Sequence, residues 1–379
     1  MQKNVVIAGF ARSPFHFANK GDLTRVRPDE LAAQTVRGLI DKTGVDPNEI
    51  EDLILGCALP EGEQGLNMGR LVGFLAELPI SVAGMTVNRF CGSSMQSVHI
   101  AAGAIQLGAG EAFICAGVES MTRVPIPGFN PLLHPVMAER YPQAYMSMGE
   151  TAENVAEKYQ IPRARQEELA VVSHQKAAKA QAEGRFEAEL VAITHGNHKI
   201  EVDGCIRPDT NAAALAELKP AFKDTGSVTA ATSSPLTDGS AATLVTSEDF
   251  AKAHGLTPLA RIKAIAVGGC APEVMGMGPV VASGKAMERA GVTAKDLDVV
   301  ELNEAFASQA LACIDELGLE MEKINIDGGA LALGHPLGAT GARITGKAAQ
   351  IMHREGKGLA LASQCIGGGQ GIATVLEAA

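Results

Sequence analysis

The 379-residue chain has no tryptophan, only three tyrosines and eleven phenylalanines. Its core must therefore be filled by aliphatic and small side chains. No apolar run approaches the roughly 18 residues that cross a bilayer. The apolar start, Val5-Val6-Ile7-Ala8-Gly9-Phe10, is too short for a signal-peptide core and lacks a convincing cleavage site. It reads as a first strand. The last residues, Leu376-Glu377-Ala378-Ala379, match no peroxisomal or retention tail. Cysteines fall at 57, 91, 115, 205, 270, 313 and 365 with no C-x-x-C pair. An odd, scattered set excludes a disulfide framework and fits a reducing cytosol, so a cytoplasmic location is expected.

Basic residues are also short, with 32 Lys and Arg against 43 Asp and Glu for a net charge of −11. That balance argues against a general nucleic-acid binder, which needs a basic face for phosphates. An anionic substrate would require a local cluster of Arg or Lys. Glycine is what the chain has in excess, 42 residues of 379, against an average near 7%. A hydrophobic fraction of 46% and a charged fraction of 20% exclude disorder, and the length predicts two or three domains.

Short β-branched runs predict strands over 4–10, 52–57, 111–117, 259–267, 298–303, 359–365 and 371–376. Between them lie periodic stretches such as Leu31–Lys42, apolar at 31, 32, 36, 39 and 40, an amphipathic helix. Alternating strands and helices predict an α/β layered fold. An internal match at an offset of 247 residues adds a duplication. Gly44–Leu53 aligns with Gly291–Val300, and Phe113–Ala116 with Ala360–Ser363. The halves are 1–120, completed by about 240–257, and 258–379. Residues 121–240, opening on Pro125, Pro127, Pro131 and Pro135 with helical residues 150–187 inside, read as a loop domain inserted into the first half.

Four segments could carry chemistry. In Asn88-Arg89-Phe90-Cys91-Gly92-Ser93, apolar spacing from Met95 onward puts Cys91 just before a helix, where free N–H groups and the helix dipole favour a thiolate. The competing reading is a small cysteine buried under a helix. Residues 328–343 hold five glycines around His335, in a turn that suits a base or a hydrogen-bonded surface histidine. Ser363-Gln364-Cys365-Ile366-Gly367-Gly368-Gly369 invites a dinucleotide reading, but only eight residues follow Gly371, so no helix could receive a pyrophosphate. A hairpin with Cys365 at the strand end and free N–H groups in its turn fits better. Glu301-Leu302-Asn303-Glu304-Ala305-Phe306 either caps the next helix or points a donor into a cleft.

Two cysteines, one histidine, one asparagine and glycine turns suggest thiol chemistry on an acyl group. A zinc site at His195, His198 and Cys205 would lack a fourth ligand. A cysteine protease would leave the second cysteine and the glycine hairpin without a role.

Together and in this order, the four segments strongly resemble the thiolase family across essentially the whole chain. The resemblance implies a five-layer αβαβα fold from two duplicated halves with an inserted loop domain over the CoA site. It implies that Cys91 takes the acyl group as a thioester and that His335 deprotonates it. His335 would also bind a thioester oxygen with a water held by Asn303. Cys365 would be the second acid/base, and the N–H groups of Cys91 and Gly367 the other oxyanion hole. Arg207 and Ser234 match positions that hold CoA in the family, although a solvated arginine and a turn serine read equally well from the residues alone. Met148 and Phe306 match positions near the acyl group and pantetheine. CoA and 3-ketoacyl-CoA would be substrates, with no further cofactor and no metal.

Ser147-Met148-Gly149, Ser94-Met95-Gln96 and Glu63-Gln64-Gly65-Leu66-Asn67 are more similar to the bacterial β-oxidation thiolases than to the short-chain biosynthetic ones. Thiolytic cleavage of 3-ketoacyl-CoA is expected, with biosynthetic acetyl-CoA acetyltransferase or a non-thiolytic thiolase-like protein as alternatives. The family implies a homodimer or homotetramer, and the β-oxidation type can join a hydratase–dehydrogenase subunit.

Overall fold

The computed structural model describes residues 3–379. The first half runs β1 (Val5–Arg12), β2 (His16–Phe17), α1 (Pro28–Thr43), β3 (Asp52–Gly56), α2 (Met68–Leu75), β4 (Ala83–Val87), α3 (Ser93–Leu107) and β5 (Ala112–Ser120). The stretch that follows supplies α4 (Pro135–Arg140), α5 (Met148–Lys158), α6 (Arg163–Ala182), a hairpin of β6 (Ile193–His195) and β7 (His198–Ile200), and α7 (Ala212–Ala216). The chain then returns through β8 (Thr237–Ser247) and α8 (Glu248–Ala253). The second half is β9 (Ala260–Gly269), α9 (Gly278–Ala290), β10 (Val299–Leu302), α10 (Ala307–Leu317), α11 (Ala330–Leu333), α12 (Leu337–Glu355), β11 (Leu359–Ile366) and β12 (Gln370–Glu377).

Strand order shows the duplication directly. The path is β10-β11-β12-β9-β1-β8-β5-β3-β4. In the first half β3 lies parallel to β5, β5 antiparallel to β8, and β8 antiparallel to β1. In the second, β10, β11, β12 and β9 repeat those relations in that order. Ile324, bridged to Val300 in parallel, stands where β4 stands beside β3. The offset of 247 carries Asp52 to Val299 and Ala112 to Leu359, the first residues of equivalent strands. The halves join where Val6 pairs Arg261 and Ile7 pairs Ala260.

Five layers follow from this pairing. α1 and α2 cover the outer face of the first set of strands, and α9 covers the outer face of the second. α3 and α12 lie between, touching strands of both halves. Two large aliphatic clusters form the outer cores, one around Val36, Leu39, Leu53 and Ile114, the other around Leu302, Leu311, Leu361 and Val375. All seven sequence-predicted strands are present. The strands that periodicity missed are β2, β4, the β6–β7 hairpin and β8. β8 reads Thr-Asp-Gly-Ser-Ala-Ala-Thr-Leu-Val-Thr-Ser, yet every residue in it is buried. Such small, polar residues can be buried at a sheet centre because helices on both faces approach closely. The helical stretch predicted over 150–187 is two helices, divided at Gln160 (φ 54°) and Pro162.

A buried ion network ties residues 183–210 onto the first half. Arg12 donates to both carboxylate oxygens of Asp203 at 2.7 and 2.8 Å and to Glu189 at 2.6 Å. Glu189 also receives Lys347 from α12 at 2.8 Å. Removing Arg12 would leave the buried Asp203 carboxylate without its ion-pair partner, a cost of about 3–5 kcal/mol.

Candidate active site

Glycines let the two central helices begin almost in contact. A Cβ at Gly341 would overlap the backbone of Met95, and one at Gly117 would overlap the carbonyl of Gly338. The N–H of Ala342 donates to Ser94 Oγ at 2.8 Å. The turn before α3, which carries Cys91, is thereby held against the turn before α12, which carries His335. These turns are equivalent in the two halves, since 247 added to Asn88 gives His335. Between them the C-terminal ends of β10 and β11 present Asn303, Cys365 and Gly367, with Asn303 N–H bonded to the Ser363 carbonyl at 2.9 Å.

Cys91 follows Phe90, a non-glycine residue at φ 42°, the strained kind of turn found where a side chain must be aimed. The Gln364 side chain donates to the Cys91 carbonyl. The N–H of Gly367 favours the charged form of the Cys91 thiol, and the Cys91 and Cys365 thiols affect one another electrostatically. Burial pushes the Cys91 thiol up to about 11, and the anion of Glu119 adds to this; the N–H groups of Gly367 and Cys91 oppose it. The helix start supplies donors that favour a thiolate, as the sequence leads one to expect, but desolvation of this partly exposed residue opposes them and is the larger effect. Burial also holds the Cys365 thiol well above its ordinary range.

His335 is 4% exposed, so it is not the surface histidine that the turn alone allowed. Its N–H donates to Thr237 Oγ1 at 3.1 Å, its Nδ1 lies 2.6 Å from Thr340 Oγ1, and its Nε2 lies 3.4 Å from Asn303 Nδ2. Burial, with the charge of the Arg343 guanidinium, lowers its pKa to about 3. The imidazole is neutral at pH 7 and able to accept a proton. Asn303 is fully buried with its Oδ1 free of protein partners. It does not cap a helix: α10 starts after Phe306, with no side-chain cap. Glu304 fixes this turn, accepting from Ser173 Oγ at 2.7 Å, Asn325 Nδ2 at 2.7 Å and Leu331 N at 3.1 Å.

The β11–β12 turn is the expected hairpin, with Gly368 at φ 78° and Gly369 at φ 84°, conformations that favour glycine. Cys365 packs in one apolar cluster with Phe306, Met275, Ala152 and Met148. Met148 also borders Gly367. Ser234 stands beside them through its N–H bond to the Ala305 carbonyl at 2.9 Å. Eight of the nine sequence-predicted site residues thus converge around these helix and strand ends. Arg207 stands further out. It is exposed, its N–H donates to His174 Nδ1 at 3.1 Å, and its guanidinium lies 5.0 Å from the Phe17 ring centroid. Ser147, one of the residues that set the sub-class expectation, is the N-cap of α5 in a capping box with Glu150. His195 and His198 close the β6–β7 hairpin with exposed side chains, while Cys205 is buried.

Sequence reasoning missed Gln364, Thr237, Thr340 and Glu119. Glu119 is fully buried and accepts from the N–H groups of Ala58 at 2.8 Å and Gly338 at 2.8 Å, joining β5 to the histidine turn. Thr340 alone left a signal, a hydroxyl in the first turn of the helix that follows His335.

The site joins two thiols, a neutral buried imidazole and directed N–H groups on a duplicated five-layer fold, the arrangement of an acyl-transfer enzyme. The chain belongs to the thiolase family: the thiolase N-terminal domain matches residues 5–249 and the thiolase C-terminal domain residues 256–378. It is accordingly an acyltransferase with the thiolase fold. It is 46% identical to a 3-ketoacyl-CoA thiolase of Bacillus subtilis (strain 168), covering 100% of both chains. It is also 46% identical to a 3-ketoacyl-CoA thiolase of Vibrio cholerae, covering 98% of this chain and 99% of that one. Among solved structures, human mitochondrial 3-ketoacyl-CoA thiolase in complex with CoA superimposes with a TM-score of 0.92 at 35% identity, covering 100% of this chain and 98% of the other. Bacillus anthracis acetyl-CoA acetyltransferase superimposes with a TM-score of 0.91 at 39% identity, covering 100% and 99%. Among the described residues no helix is long and apolar enough to cross a membrane.

Proposed function

We propose that this protein catalyses CoA-dependent thiolytic cleavage of 3-ketoacyl-CoA to acetyl-CoA and a shortened acyl-CoA, in fatty-acid β-oxidation. The carrying observation is the convergence of the turns bearing Cys91, His335, Asn303 and Cys365, with the Gln364 side chain bonded to the Cys91 carbonyl, Asn303 N–H to the Ser363 carbonyl at 2.9 Å and Asn303 Nδ2 3.4 Å from His335 Nε2. Cys91 loses its proton to His335, and its sulfur attacks the 3-keto carbon. The C2–C3 bond then breaks, and its electron pair leaves on the acetyl-CoA fragment as an enolate, which Cys365 protonates at carbon. CoA next attacks the Cys91 thioester, its thiol proton passing to Cys365, and releases the shortened acyl-CoA. Charge develops twice on a carbonyl oxygen. The N–H groups of Cys91 and Gly367 stabilise one oxyanion, and His335 with a water on Asn303 the other.

Arg207 and Ser234 hold CoA, Met148 and Phe306 border its pantetheine and acyl group, and residues 121–240 cover it. CoA serves as co-substrate, so the cycle uses no cofactor or metal. The protein works in the cytoplasm as a homodimer or homotetramer, and the β-oxidation role allows a hydratase–dehydrogenase partner. Ser147 and Ser94-Met95-Gln96 support the degradative branch over biosynthetic acetyl-CoA acetyltransferase. The test is kcat/KM for 3-ketoacyl-CoAs from four to sixteen carbons. Turnover beyond four carbons is expected, and turnover of acetoacetyl-CoA alone would assign the biosynthetic reaction.

A further inference from the structure

We propose that Thr340 is a positioning residue that fixes the tautomer of His335, holding the proton on Nδ1 and leaving Nε2 bare to take the Cys91 proton. This rests on the thiolase reading above, in which His335 is the base.

The inference follows from counting hydrogens. Thr340 Oγ1 lies 3.0 Å from the Pro336 carbonyl oxygen, four residues back, and 2.6 Å from His335 Nδ1. A hydroxyl has one proton, and a carbonyl can only accept. The threonine proton therefore goes to Pro336, and its oxygen is left to accept from Nδ1–H. A neutral imidazole carries one N–H, so Nε2 is the unprotonated nitrogen. The atom facing Nε2 agrees, because Asn303 Nδ2 at 3.4 Å is a donor. The backbone completes the clamp: His335 N–H is anchored on Thr237 Oγ1, whose own proton goes to the Pro235 carbonyl at 2.6 Å.

The charged and titratable groups of the elements that meet at this turn are several. Arg343 of α12, whose charge acts on the ring, is paired with Glu301 of β10 at 3.3 Å. Glu304 follows β10 and binds Leu331 N. Glu119 of β5 binds Gly338 N. Cys91 and Cys365 stand at the helix and strand ends already described. Among the hydrogen bonds of the described residues, only Thr340 Oγ1 contacts Nδ1, so the tautomer is set there. In the reaction the Cys91 S–H bond breaks, the Nε2–H bond forms, and the pair left on sulfur becomes the nucleophile. The imidazolium keeps its Nδ1–H bond to Thr340 until Nε2 returns the proton.

The experiment combines 15N-histidine NMR of the full-length protein with single-turnover acylation of Cys91 by acetoacetyl-CoA. It compares wild type, Thr340→Val and Thr340→Ser. Wild-type His335 should show the Nδ1–H pattern, and Thr340→Ser should keep both that pattern and the acylation rate. Thr340→Val should lose the single tautomer and slow acylation by about 10²-fold, the low end of general-base contributions, with KM for CoA unchanged. A purely structural role would not move the nitrogen shifts. A wild-type Nε2–H pattern would overturn the proposal even if Thr340→Val failed to fold, and so would unchanged acylation in a folded Thr340→Val. If wild type showed the Nδ1–H pattern without thiolysis, the proposed reaction would fail while the tautomer assignment stood.

Discussion

The N–H of Ala342 bonds Ser94 Oγ at 2.8 Å, joining the central helices of the two halves just below the residues they carry. Gly341 sits beside this bond against the Met95 backbone, with no room for a side chain. Gly341→Ala should therefore push α3 and α12 apart. A decrease in stability of about 1–3 kcal/mol is expected, the usual cost of overpacking, together with slower acylation, because Cys91 and His335 separate. Thermal unfolding and acylation rate measure both. A variant with wild-type Tm would show that the helix contact is looser than described.

Cys91 should alkylate slowly at neutral pH. Its thiol is pushed up to about 11 by burial, and burial disfavours the charged form, so thiolate appears only as pH rises. Iodoacetamide labelling of Cys91, followed by peptide mass, should increase about tenfold per pH unit from 7 to 10. It should level off near pH 11. A plateau at pH 6–7 would mean a preformed thiolate–imidazolium pair. His335, lowered to about 3, should add no inflection near pH 6.5.

Much of this site was legible in the sequence, for definable reasons. Cys91, His335 and Cys365 stand in glycine-rich turns beside strongly periodic helices and β-branched strands, and the 247-residue repeat gave the symmetry that brings two such turns together. The polar supports were not legible. Glu119 is 219 residues from Gly338 and Thr237 is 98 from His335, and no local pattern reports so distant a hydrogen bond. β8 escaped because its burial comes from helices on both faces rather than from apolar alternation. The raised pKa of the Cys91 thiol is not legible either, because the helix start is visible in sequence whereas the desolvation that opposes it is not.

Arg207→Ala should raise KM for CoA about tenfold, the lower range for a hydrogen bond to a charged group, with little change in kcat. Its guanidinium is exposed above Phe17, so the loss should shrink as salt screens the charge. Steady-state kinetics at low and high ionic strength measure this. An unchanged KM at low salt would remove Arg207 from the CoA site.

The division of labour between Cys91 and Cys365 is tested most directly by intact mass after incubation with acetyl-CoA. Cys91→Ala should gain no acetyl group. Cys365→Ala should gain one, mapped by peptide mass to Cys91, because His335 remains to take the proton. That variant should also lose turnover by about 10²–10⁴-fold and fail to exchange the α-protons of acetyl-CoA with deuterated solvent. An acetyl group mapped to Cys365, or normal turnover in Cys365→Ala, would contradict the account.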